Sequence, residues 1–255
     1  MPVNARAAAI ALALSLANSA SLFAGAEVPL FTDSFTGGAS SVWRNEVGGW
    51  HVIRGAYDST ISSNFPNSHS SVPYVLADGS IEVDITNVQD GGVWVRSAPA
   101  PGTPIGVKGI LLVTGPGNGL YWHVVADGSS YGPIIGAVTG LFTSGVSDPH
   151  IRVTFVGSTY QVYVNGVLVS TLNDGTFSVG CVGLYDFSPQ TFDNVAVYGT
   201  SLCESDLSCD LVVDAADLAV LLGAWGQPGI GDLDGNGTTD AADLAILLGA
   251  WGPCS

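Results

Sequence analysis

The sequence predicts a mainly β protein: an antiparallel jelly-roll β-sandwich followed by a small domain of two helices and two acidic loops. Three observations lead there. Short runs of period-two alternation, punctuated by Gly, Asp and Ser, fill the chain up to about residue 200. A near-identical repeat then takes over, with helical rather than strand periodicity. Composition agrees, with 47% hydrophobic residues, 34 Gly and only 6 Lys+Arg, which suits a turn-rich extracellular fold better than a helical cytosolic one.

The strand signals follow in order. Ile81 to Ile85 and Gly92 to Ser97 alternate with period two. Gly109 to Thr114, Leu120 to Val125 and Ile151 to Phe155 are further β-rich runs. Tyr160 to Val164, Asn165-Gly166 and Val167 to Val169 read as a hairpin with a type I′ turn. Cys181 to Tyr185 and Phe192 to Val197 close the series. A series of short strands without a helical stretch implies a sandwich. Its expected span is 27–200, with the link at Gly199 to Leu202 and the second domain over 201–255.

In the C-terminal part, Asp214 to Gly226 (DAADLAVLLGAWG) recurs as Asp240 to Gly252 (DAADLAILLGAWG), matching at twelve of thirteen positions with an offset of 26 residues. Leu218, Leu221, Leu222 and Trp225, with Leu244, Leu247, Leu248 and Trp251, recur at helical spacing and predict one apolar face per copy. The two faces are expected to pack together. Gly226 and Gly252 are the expected C-caps, with Pro228 and Pro253 beyond them.

Each helix follows a loop of metal-ligand spacing. In the second copy Asp232, Asp234, Asn236, Asp240 and Asp243 hold positions 1, 3, 5, 9 and 12 of a twelve-residue loop. Gly237 takes position 6 and Thr238 offers its carbonyl at position 7. Hard Ca²⁺ prefers such an oxygen-rich set. The first copy places Asp206, Ser208, Asp210, Val212, Asp214 and Asp217 at positions 1, 3, 5, 7, 9 and 12, with Leu211 where the turn prefers Gly. One Ca²⁺ site is expected in the second loop, and a weaker one in the first.

This paired loop-helix unit, with Asp rather than Glu at position 12, resembles a type I dockerin of the form ending in LLGAWG, over about Cys203 to Cys254. The resemblance implies two calcium loops and a partner of cohesin or cell-surface type. Cellulosomal dockerins use loop positions 10 and 11 and a Lys-Arg helical pair against cohesin. Here those positions are Ala215-Ala216, Ala241-Ala242, Leu222-Gly223 and Leu248-Gly249, so the match supports calcium and fold and leaves the partner, of cohesin or cell-surface type, open.

Cys181, Cys203, Cys209 and Cys254 allow three full pairings. If the two copies pack about a pseudo-twofold axis, Cys203 and Cys254 meet as a clasp. A Cys181–Cys209 bond would need close contact between the domains.

Phe31 to Phe35 and Thr191 to Val197 resemble the terminal strands of a concanavalin-A-like lectin/glucanase sandwich. Gly91 to Ser97, Tyr163 to Gly166 and Val182 to Asp186 resemble laminin-G-like and 3-keto-disaccharide-hydrolase-like domains. Such resemblance implies a fold and a glycan context, and fold alone does not select a ligand. Two readings follow. In the first, the sandwich binds a carbohydrate or cell-surface ligand: Trp94 and Arg96 on one strand face, and Tyr121 and His123 on another, are the candidate contacts, each weighed against a role in the core. In the alternative it is a glycoside hydrolase. Laminarinase-type members carry E-x-D-x-x-E; here Glu82 and Asp84 match the first two acids and Asn87 stands at the third. Binding is the preferred reading.

The chain carries a net charge of −16, and no Lys or Arg follows Arg152. Nucleic acid and anionic membranes need basic patches and are not expected partners. Arg6, the apolar run Ala7 to Leu16 and Ala24-Gly25-Ala26 read as a signal peptide over 1–26, implying secretion. No segment reads as a membrane span.

Overall fold

The computed structural model describes residues 28–254. Its strands are β1 (Phe31–Asp33), β2 (Trp50–Ile53), β3 (Ala56–Ser59), β4 (His69–Leu76), β5 (Gly79–Thr86), β6 (Gly91–Pro99), β7 (Val107–Thr114), β8 (Leu120–Val125), β9 (Ile135–Val138), β10 (His150–Val156), β11 (Thr159–Val164), β12 (Val167–Asn173), β13 (Gly180–Asp186) and β14 (Thr191–Gly199). After these come β15 (Val212–Val213), α1 (Ala215–Gly223), α2 (Ala241–Gly249) and β16 (Gly252–Pro253). The expected signal peptide lies outside the described residues.

Two antiparallel sheets form the sandwich. One has eight strands, in the order β12-β11-β10-β5-β14-β3-β2 with β1 also on β14; the other has six, ordered β4-β13-β6-β7-β8-β9. The first and last strands of the sandwich pair, Phe31 opposite Val197. Asn165 (φ 50°) and Gly166 (φ 81°) both take positive φ in the β11–β12 turn, as a type I′ turn requires. Inward residues such as Ile81, Val83 and Ile85 from β5 meet Val93, Val95, Ile110, Leu112 and Trp122 from the opposite sheet in one core.

The outer face of the six-stranded sheet carries a second apolar cluster built on Trp94, Leu111, Val113, Val125 and Tyr185. A loop over residues 60–68 covers it. Trp94 Nε1 donates to Asn67 Oδ1 at 3.1 Å, and Asn67 Nδ2 donates to the Tyr131 hydroxyl at 2.9 Å. Asp186 anchors that loop: its Oδ2 accepts from Ser59 N at 3.0 Å and its carbonyl accepts from the Ser68 hydroxyl. Burial pushes the Asp186 carboxyl up to about 7, against the pull of backbone N–H donors from Ser59 and Ser188. A raised carboxyl contributes stability that is complete below its unfolded value near 4 and is lost as pH climbs through 7. Urea unfolding should therefore show the protein losing stability from pH 4 to 8. Asp186→Asn should flatten that slope by a few kcal/mol, taking ~1.4 kcal/mol for each pH unit between the unfolded and folded values; an unchanged slope would remove Asp186 as its source.

The C-terminal module packs on the sandwich. Leu202 N donates to Val75 O at 2.8 Å and Ser41 Oγ to Pro228 O at 2.9 Å. Disulfides join Cys203 to Cys254 and Cys181 to Cys209. The second runs between strand β13 and the first acidic loop.

The two copies close on each other reciprocally. Val213 of the first loop pairs with Gly252 beyond α2. Thr239, its counterpart in the second loop, accepts from Gly226 N beyond α1 at 2.9 Å. The helical faces differ from expectation. Leu221 and Leu247 are fully buried between the copies, whereas Leu222 and Trp225, like Leu248 and Trp251, are about half exposed. Leu222 and Leu248 lie within the helices but outside the contact between the copies; for the tryptophans the reason is length, since each helix has nine residues and ends at Gly223 or Gly249. The tryptophans therefore lie in the following turn. Ala224 and Ala250, not Gly226 and Gly252, are the C-caps. Gly226 at φ 75° instead shapes the turn that reaches Thr239.

Candidate functional site

The acidic loops come first, because the repeat itself builds them. Asp232, Asp234 and Asp243 bring carboxylate oxygens within 4.8 Å of one another, and so do Asp206, Asp210 and Asp217. The loop backbone turns around these acids. Asp232 accepts from Asn236 N at 3.0 Å and Gly237 N at 2.8 Å, and Asp243 accepts from Leu233 N at 2.7 Å. In the first loop Asp206 accepts from Leu211 N and Asp217 from Ser208 N, at 2.8 and 2.7 Å. Burial, with Asp217 and Asp210 nearby, pushes the Asp206 carboxyl up to about 6 although Leu211 N–H pulls it down. Crowded carboxylates, with no Lys or Arg after Arg152 to neutralise them, fit a hard dication.

The position-9 acids do something else. Asp214 and Asp240 are the helix N-caps, accepting from Ala216 N and Ala242 N at 2.7 Å, and Asp217 and Asp243 complete the capping boxes. Of the other expected ligands, Asn236 accepts from Thr238 N at 3.0 Å, and Ser208 lies beside Asp206 at 3.4 Å. Val212 pairs with Pro253 in the β15–β16 ladder.

The first loop keeps its turn without glycine. Leu211 sits at φ 75°, where the second loop has Gly237 at φ 94°. A left-handed non-glycine residue costs about 1–2 kcal/mol. The Leu211 side chain offsets this by packing with Val75, Cys181 and Cys209 between sandwich and module.

On the sandwich, the structure separates the expected contacts. Trp94 and Arg96 do not share a face. A bulge between Val95 and Ala98 turns Arg96 inward, at φ 47°, while Trp94 remains outside under the Asn67 loop. Arg96 is 2% exposed and its donors are taken up by Ala77 O, Phe177 O and the Tyr160 hydroxyl. Its guanidinium lies 5.1 Å from the Tyr160 ring centre. Both residues are therefore structural rather than ligand contacts.

Tyr121 and His123 do share the outer face of β8, 5.2 Å apart edge to face. His123 is a wedge: buried, it gives Nδ1 to Pro133 O at 3.1 Å, and its ring lies 5.5 Å from that of Tyr131. Burial lowers its pKa. Tyr121 is half buried and stands in a row with Val113, Gly92 and Tyr185 across four strands. Three strand spacings make the row roughly 14 Å long. Gly92 (φ 151°) puts no side chain in it, and a Cβ there would lie 1.9 Å from Leu112 O.

Sequence reasoning missed Asp90, Asn64 and Tyr131, which loops bring to this row. Tyr185 Oη lies 2.7 Å from Asn64 Oδ1 and 3.2 Å from Asp90 Oδ1, and Tyr131 Oη donates to Asn64 O at 2.9 Å. Burial raises the Asp90 carboxyl. The result is a rim of two half-buried tyrosine rings, Tyr121 and Tyr131, over the buried Tyr185, which holds the half-buried carboxylate of Asp90.

Glu82 and Asp84 share the outer face of the eight-stranded sheet with a histidine between them. His150 Nδ1 is 2.7 Å from Asp84 Oδ1 and its Nε2 is 3.7 Å from Glu82 Oε2. Asn194 Nδ2 donates to Asp84 at 2.9 Å, and Arg152 Nε lies 3.3 Å from Glu82. Both acids thus have basic or amide partners on a strand face.

No family model matches the sequence, and no curated protein matches it either. Solved structures do resemble the fold. A Bacillus subtilis protein of unknown function with a galectin-like fold aligns at TM-score 0.54 and 13% identity, over 69% of this chain and 98% of its own. The carbohydrate-binding module CBM66 from Bacillus subtilis aligns at 0.48 and 18% identity, over 64% and 94% of the two chains. The carbohydrate recognition domain of Emp47p aligns at 0.46 and 13% identity, over 67% and 95%. At 13% identity the likeness to the galectin-like protein shows the fold alone, a two-sheet antiparallel β-sandwich.

Proposed function

We propose that the protein is a secreted saccharide-binding module held in place by a calcium-dependent, dockerin-like C-terminal unit. One observation carries the saccharide reading: the half-buried rings of Tyr121 and Tyr131 on the outer face of the six-stranded sheet, beside the buried Tyr185 whose hydroxyl lies 3.2 Å from Asp90 Oδ1. Aromatic faces bury the apolar C–H surface of a sugar, and a carboxylate accepts from its hydroxyls. The paired acidic loops support the calcium unit, each closed by a capped helix. Two disulfides favour an oxidising compartment, and no described helix is long and apolar enough to cross a membrane. When bound, calcium would supply charge neutralisation at the clusters, held by Asp232, Asp234 and Asp243 and more weakly by Asp206, Asp210 and Asp217. A cohesin-like or cell-surface partner would engage this unit.

A glycan array with the intact protein, run beside a hydrolysis screen on polysaccharides, tests the reading. The expected result is binding without turnover, weakened on the order of tenfold by Tyr121→Ala or Asp90→Asn, the equivalent of ~1.4 kcal/mol. A blank array, or turnover abolished by Glu82→Gln with Asp84→Asn, would overturn it.

A further inference from the structure

A cavity of about 330 Å³ opens on the opposite sheet, where β5, β10 and the link out of β14 converge. Its polar lining is Asp78, Ser80, Arg152, Thr154 and Thr200. Val156 and Leu202 give it apolar surface. Ser80 lies buried at the floor of this cavity, with the more open Thr154 and Thr200 beside it. Register explains the convergence: Ser80 faces Thr154 across the β5–β10 ladder, and Arg152 follows two residues along the same outer face.

We infer that this cavity is a second saccharide site, taking a small neutral sugar on the sheet opposite the tyrosine rim. It rests on the reading of the chain as a saccharide binder and adds a separate place for binding. The charges of the site select neutrality. Arg152 Nε is 3.3 Å from Glu82, and Asp78 Oδ1 is 3.4 Å from Arg96 while accepting from Gly157 N at 2.8 Å. Each charge already has its counterpart, so an anionic sugar gains little and meets Asp78. Three hydroxyls that both donate and accept match the hydroxyls of a sugar, and the apolar wall suits its C–H face. The volume lies at the small end of the range for small-molecule sites, which sets the occupant at one or two rings. Thr200 and Leu202 belong to the link, so an occupant would also touch the connection to the C-terminal module.

Titration of the ¹⁵N-labelled full chain with methyl glycosides of glucose, galactose, mannose and xylose tests the site, with sodium glucuronate as the anionic comparison. Backbone amides of Gly79, Ser80, Thr154 and Thr200 should shift with at least one neutral glycoside. Thr154→Trp or Thr200→Trp, placed on outward positions, should fill the cavity and remove those shifts. Tyr121→Ala and Asp90→Asn should leave them in place, so that loss of array binding in those two variants bears on the tyrosine rim alone. Absence of shifts with every neutral glycoside, a response confined to glucuronate, or shifts that survive both tryptophan variants would each overturn the second site.

Discussion

Calcium added to the chelator-treated full-length protein should raise the unfolding temperature of the C-terminal module, and Asp232→Ala with Asp243→Ala should remove most of the rise. Carboxylates within 4.8 Å repel one another. At an effective dielectric of about 20 that is on the order of 3 kcal/mol per ionised pair. A dication reverses the sign. At a free concentration a hundred times the dissociation constant, binding stabilises by about 2.7 kcal/mol, a shift on the order of 10 °C for so small a unit. Asp206→Ala with Asp217→Ala should behave differently. Both loops tie their amides to such acids, but Asp206 and Asp217 are both fully buried, whereas in the second loop Asp243 is buried and Asp232 is partly exposed. Loss of Asp206 and Asp217 should destabilise the module even in chelator, while the calcium increment from the second loop survives. Calorimetry of the three proteins, parent and two double variants, with and without calcium would decide it; equal unfolding temperatures throughout would remove calcium from the account.

Removing the clasp should have an effect of similar size. Cys203 and Cys254 are 51 residues apart, and both helices and both loops lie between them. Closing a loop of that length in the unfolded chain corresponds to about 4 kcal/mol in the chain-entropy description. Cys203→Ala with Cys254→Ala should therefore unfold the module at markedly lower urea and expose α1 and α2 to protease, with the sandwich intact. Cys181→Ala with Cys209→Ala, spanning 28 residues, should cost slightly less, roughly 3.5 kcal/mol, and should free the first loop from β13. Peptide mapping under non-reducing conditions checks the pairing. Urea midpoints unchanged in both double variants would show that packing alone holds the module.

How far the sequence carries can be read from particular residues. Strands with clean alternation, such as Ile81 to Ile85, were legible because one side chain in two enters the core. Strand β4 was not, since Pro73 interrupts it; the structure puts β4 at the sheet edge, where a missing N–H is tolerated. The β2–β3 hairpin was missed because its turn is Arg54-Gly55, and Arg54 takes φ 55° without the usual Asn or Asp. The acidic clusters were legible because loop and helix are contiguous in sequence. The tyrosine rim was only half legible: Tyr121 sits on a strand, but Asp90, Asn64 and Tyr131 arrive from loops whose closure depends on Asn67 and Asp186. Arg96 misled because a bulge, invisible in the alternation, reverses its face.

The clasp also decides where tension runs. A pull applied beyond Cys254 crosses directly to Cys203, and from there it runs both back through the link and forward along residues 204–209 to the Cys209–Cys181 bond, so that only residues 210–253 form a side branch. One share of the load passes through the link at Gly199 into β14, which is held on one side by β5 and on the other by β3 and β1, and the other share enters β13 at Cys181. A partner gripping the helices would load the molecule by another route, through the branch itself and out at its two ends, Cys209 and Cys254. The force would again be shared between the two sheets. Residues 210–253 are thus unloaded when the chain is pulled from its tail and loaded when the module is held by its surface.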